Sequence, residues 1–132
     1  MNPSAHPFFR QFDRRDSCVI EAKFSKDGLL VVVEAFPTPE PKSIDIQIFF
    51  PSHRGFFLLD EGDMPLWPRS ECFRTDHLLY QVTEGGWLSA SSSENYFLPI
   101  ASTQCSEWLI LTANECVSVF SGAEPLVSEQ SP

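Results

Sequence analysis

Residues 44–50 constrain the fold most. Ile44, Ile46, Ile48 and Phe50 alternate with Asp45, Gln47 and Phe49. A period of two over this length is the pattern of a strand with one face buried. Similar segments recur along the chain. In Cys18 to Phe24, Cys18, Ile20, Ala22 and Phe24 alternate with Val19, Glu21 and Lys23, and Leu29 to Phe36 contains three consecutive valines. β-Branched side chains favour a pleated surface. With Phe56 to Leu59, His77 to Thr83, Trp108 to Thr112 and Cys116 to Phe120, seven strands are predicted.

The links between them predict antiparallel pairs. Ser25-Lys26-Asp27-Gly28 suits a hairpin, because Gly28 accepts positive φ. Pro51 to Gly55 is expected to turn a second hairpin and Ala113-Asn114 a third. The proline-rich run 37–42 forms an extended connection. Helix signals are few. Ser4 to Arg14 is a candidate short helix with Phe8, Phe9 and Phe12 on one side, and 69–76 or 87–95 could hold another turn or two. The expectation is a mainly β chain, with α+β as the alternative: antiparallel sheets in a sandwich or open barrel of about seven strands, with one or two short helices. Residues 1–127 read as one domain and 128–132 as a frayed tail. At 132 residues the chain is long enough to bury a real core.

Charge is unevenly placed. All nine Lys and Arg lie between Arg10 and Arg74; residues 75–132 contain none, but carry Asp76, Glu84, Glu94, Glu107, Glu115, Glu124 and Glu129. The net charge of −9 disfavours nucleic acid, whose phosphates need a basic footprint. It suits an acidic surface that confers solubility or, more sharply, a negative face that steers a basic protein partner. No apolar run reaches membrane-spanning or signal-peptide length, so no membrane partner and a cytoplasmic setting are expected. Cys18, Cys72, Cys105 and Cys116 are far apart, as are His6, His53 and His77, so neither a metal nor another cofactor is expected.

Candidate binding residues fall in two clusters. Asp60, Glu61 and Asp63, followed by Trp67 between two prolines, form an acidic turn beside a rigid aromatic anchor. Their spacing is not that of a calcium loop. Glu84-Gly85-Gly86-Trp87 forms the second; its glycines permit close backbone approach, but no Lys is near for a phosphate cradle. No Ser or Cys sits in a nucleophile motif, and Asp76 and His77, adjacent on a strand, are expected to face opposite ways.

The segments LYQV (79–82), EGGWL (84–88), EWLILTANECVSVFS (107–121) and EPL (124–126), with the acidic turn at 60–63 and Trp67, resemble a family of small uncharacterised bacterial proteins over about residues 43–127. Some similar small acidic proteins look like immunity partners of polymorphic toxins. The resemblance implies no agreed activity. The leading expectation is a small acidic, non-enzymatic protein-binding module, of which an immunity-like, toxin-neutralising protein is one form. The alternative is a small-molecule-binding or enzymatic β-domain with a pocket lined by Trp67, Trp87 and Trp108. The paired aromatics (Phe8-Phe9, Phe49-Phe50, Phe56-Phe57) also allow a homodimer.

Overall fold

The computed structural model describes residues 4–37, 42–51, 53–60, 73, 76–84, 86 and 106–130. Nine strands run through them: β1 (Ser4–Phe8), β2 (Phe12–Ser25), β3 (Gly28–Pro37), β4 (Ile44–Phe50), β5 (His53–Asp60), β6 (Leu79–Glu84), β7 (Ser106–Leu111), β8 (Glu115–Ser121) and β9 (Leu126–Gln130). They form two antiparallel sheets. Sheet A has the order β1-β6-β7-β8-β5 and sheet B the order β2-β3-β4-β9, and neither closes into a barrel. One buried cluster draws on both: Leu29, Val31 and Val33 of β3 and Ile46, Ile48 and Phe50 of β4, with Trp108, Ile110, Val117 and Val119 of sheet A. The alternation in 44–50 is thus the inner face of β4, as its spacing predicts.

Sheet A is buried on both faces. Its second face carries Tyr80, Val82, Leu109, Leu111 and Cys116, with Phe73 packed edge-on to Tyr80 at 5.2 Å between ring centres. Hence β7 and β8 read as continuous apolar runs instead of alternating. Among the described residues, sheet B gives only its inner face to a buried cluster and its outer face is half-buried, which antiparallel sheets tolerate.

Several expectations need correction. None of the described residues is helical, and Ser4 to Arg14 supplies β1 and the start of β2. Pro7 offers no N–H and biases the residue before it toward extended backbone, both of which suit an edge strand better than a helix. The aromatic spacing serves a crossover instead. Phe9, at φ 71°, carries the chain between sheets, so Phe8 packs edge-on to Trp108 at 5.0 Å while Phe12 enters the core. Most of 69–76 and 87–95 lies outside the described residues.

The link at Pro51 does not make a hairpin either. Both edges of β4 are taken by β3 and β9, so β5 crosses to sheet A and pairs with β8. The hairpins at Lys26-Asp27 and Ala113-Asn114 form as expected. At the C-terminus, where fraying beyond Val127 was expected, β9 stays paired through Gln130, opposite Asp45.

β2 departs from strict alternation twice. Between Asp13 and Cys18 the chain bulges through Asp16, at φ 65°, and Asp13 accepts three hydrogen bonds from Arg15 at 2.8–3.1 Å. Between Val19 and Glu21 one extra residue is inserted. A single insertion exchanges the faces of a strand. Consequently Val19, not Cys18, lies opposite the buried Val33, and Cys18 pairs with Glu34.

Candidate functional site

The uncovered face of sheet B has an order that only its register reveals. Three rows cross the four strands: Lys23-Leu30-Phe49-Leu126, then Glu21-Val32-Gln47-Ser128, then Cys18-Glu34-Asp45-Gln130. One end of the face is therefore apolar and the other acidic. Leu30, Val32, Phe49, Glu34 and Asp45 are all half-buried, and none belongs to a buried cluster. Leu126, at the apolar end, is 64% exposed.

Glu34 and Asp45 are directly opposed on adjacent strands. Directly opposed carboxylates repel, which ordinarily disfavours such a pair. Neither makes an ion pair among the described residues. Both raise the pKa of the Cys18 thiol, after the larger effect of its partial desolvation. Among the described residues, this negative end of the sheet has no counter-ion.

The acids of residues 75–132 are largely occupied elsewhere. Glu107 is 2% exposed on the second face of sheet A. Glu115 accepts hydrogen bonds from Val19 N at 2.8 Å and Thr112 Oγ1 at 2.7 Å, tying β2 to the β7–β8 hairpin. Glu129 pairs with Arg10 at 3.0 Å. Of the described late acids, Asp76, Glu124 and Glu129 are exposed, Glu129 beside Arg10 and Asp76 beside His77. The concentrated carboxylate pair thus comes from the charge-balanced half of the sequence.

The described members of the two expected clusters, Asp60 and Glu84, are not brought together. Asp60 ends β5 opposite Glu115, whereas Glu84 ends β6 beyond the Val82–Glu107 pair. β8 and β7 lie between these strands, and the two residues stand at opposite ends of sheet A. At about 4.8 Å between strands and 3.4 Å per residue, that is roughly 25 Å apart. Glu61, Asp63, Trp67 and Trp87 lie outside the described residues. Close approach at the glycine pair is real for Gly86: a methyl there would sit 2.5 Å from Glu107 Oε1.

Asp76 and His77 meet instead of facing apart. They precede β6, and His77 Nδ1 lies 3.1 Å from Asp76 Oδ1, with the imidazole edge-on to Tyr80. None of these partners is a nucleophile. Cys116 is inert by environment, since burial pushes its thiol up to about 12, offset slightly by the Ser118 hydroxyl. Among the described residues no group of His, Cys, Asp and Glu is arranged to hold a metal ion.

Of the three tryptophans in the aromatic-pocket alternative, Trp108 lies among the described residues and Trp67 and Trp87 do not. Trp108 is 1% exposed between the sheets, and its Nε1 has no hydrogen-bond partner. An apolar recess nearby, lined by Phe8, Phe12, Ile48 and Leu79 among others, has a free volume of ≈ 10 Å³. That recess holds about one water. No helix among the described residues is long and apolar enough to cross a membrane. No family model, no curated protein and no solved structure matches this chain.

Sequence reasoning placed Asp45 on the polar face of its strand but missed its pairing with Glu34. The uniform valine run of β3 hides which of its residues face outward. The alternation of β4, combined with the link length to β3, was the available signal.

Proposed function

We propose that this chain is a small, acidic, non-enzymatic binding module, folded as a two-sheet sandwich, whose uncovered face on sheet B docks a basic protein. The observation that carries the reading is the Glu34–Asp45 opposition at one end of this face, with the Leu30–Phe49–Leu126 row at its other end. A guanidinium or ammonium group placed between the carboxylates would turn a repulsive pair into two charge-assisted hydrogen bonds. The apolar row at the far end of the same face supplies contact area that charge alone does not. The resemblance to immunity partners of bacterial toxins agrees with this reading and suggests a cytoplasmic, toxin-neutralising role. The test compares capture of basic proteins by the wild type and by Glu34→Gln/Asp45→Asn at low and high salt. The reading requires a partner that high salt releases and the double variant fails to hold. Equal capture by both proteins would refute it.

A further inference from the structure

β2 is an edge strand of sheet B among the described residues, and its two ends are treated differently. From Phe12 to Val19 its outer edge is occupied: Phe12 N donates to Asp76 O at 2.9 Å, Ala113 N to Ser17 O at 3.2 Å, and Val19 N to the Glu115 carboxylate at 2.8 Å. From Ile20 onward none of these ties continues. Ile20 is 53% exposed, Phe24 is 64% exposed, and Glu21 and Lys23 are exposed between them. Phe24 and Ala22 pair with the buried Leu29 and Val31, so they lie on the core-side face but run past the core.

Unpaired edges carrying large apolar groups invite another strand. The hairpin closes at Ser25–Gly28 over two residues. Alternation from that pair directs Lys23 and Glu21 hydrogen bonds toward β3 and leaves the N–H and C=O of Ala22 aimed at the open edge. A two-fold axis through Ala22 would therefore pair this segment with itself, with Ala22 opposite Ala22. That register sets Glu21 opposite Lys23 twice, while Ile20, the extra residue of the bulge, lies at the end of the paired stretch. Neither Glu21 nor Lys23 makes an ion pair within the chain among the described residues. A lone lysine would guard such an edge. With Glu21 two residues earlier, the antiparallel register makes it a match.

We propose that a second copy of this chain docks on β2 at Ile20 to Phe24, joining the two copies of sheet B into one eight-stranded sheet. The axis is perpendicular to the sheet, so both Glu34–Asp45 faces lie on the same side, and the dimer presents the proposed partner site twice. Self-pairing uses the strand edge and the partner uses the face, so the two ideas fail separately.

Sedimentation velocity of the full chain over a concentration series, at low salt, tests the proposal. The wild type should dimerise reversibly. Glu21→Lys and Lys23→Glu should each weaken the dimer about tenfold (about 1.4 kcal/mol), since either one turns both cross-strand pairs into like charges. Combining them restores opposite pairs and should restore wild-type association. Ala22→Pro, tolerable where the N–H faces solvent, should abolish dimerisation while leaving thermal unfolding of dilute protein cooperative. A chain that stays monomeric throughout, or a dimer whose strength the single charge changes leave untouched, overturns the proposal. Failure of the combined charge exchange to recover association overturns it equally.

Discussion

Gly28→Ala should be among the most damaging single-methyl changes in this chain. Gly28 opens β3 at φ 143°, a backbone conformation reserved for glycine. Forcing an L-residue into such a region costs about 1–3 kcal/mol. The added methyl would also collide with the carbonyl oxygen of Phe50 and lie 2.8 Å from Phe49 Cζ. The carbonyl belongs to β4 backbone and can yield only by moving the strand, an overpacking cost of about another 1–3 kcal/mol. Together these give about 4 kcal/mol, a large share of the ~5–15 kcal/mol that stabilises a typical domain. Gly55→Ala is the matched control. Its methyl would meet only Phe120 Cδ2, at the ordinary distance of 3.6 Å, and should change stability by no more than about 0.5 kcal/mol. Urea unfolding followed by far-UV circular dichroism measures both. If Gly28→Ala lies within about 1 kcal/mol of wild type, or matches Gly55→Ala, the close approach of β3 and β4 described here is wrong.

Other changes test other parts of the structure. Glu34→Gln or Asp45→Asn, while weakening partner capture, should each stabilise the free chain by about 0.5 kcal/mol at low salt, because opposed carboxylates no longer repel; thermal melts at two ionic strengths check it, and destabilisation by either variant would count against the repulsion. Trp108→Phe should stay within about 1 kcal/mol of wild type in the same denaturant assay, because removing the unpartnered buried N–H offsets part of the lost packing, whereas Trp108→Ala should cost about 3–5 kcal/mol. The folded Cys116 thiol, pushed up to about 12 from an ordinary 9.0, binds its proton more tightly than in the unfolded chain. Its contribution is therefore intact below pH 9 and declines toward pH 12, by up to about 1.4 kcal/mol per pH unit. Cys116→Ala should flatten that decline, and an unchanged slope in pH-dependent unfolding would show that the thiol is not its source.

The sequence alone reveals the strand character of the chain. The isoleucine alternation of 44–50 and the two turns at 26–27 and 113–114 are local signals, and local signals survive without knowledge of neighbours. It also marked Gly86 as a place of close approach, although not that Glu107 is what approaches. It could not tell that β4 and β5 belong to different sheets, because that depends on β9, some 75 residues away, occupying the free edge of β4. The same remoteness hid β1 and β9 themselves: short, polar and proline-marked, they become strands only because β6 and β4 offer edges to pair with. Charge shows the difference most clearly. Composition located a deficit of basic residues in the last 58 positions, yet folding buried Glu107, bound Glu115 and paired Glu129. The opposed carboxylates stand in the balanced half, at Glu34 and Asp45. Sequence counts charges along one dimension, whereas a field is set by which charges the register of a sheet brings face to face, and that register is a property of the whole fold.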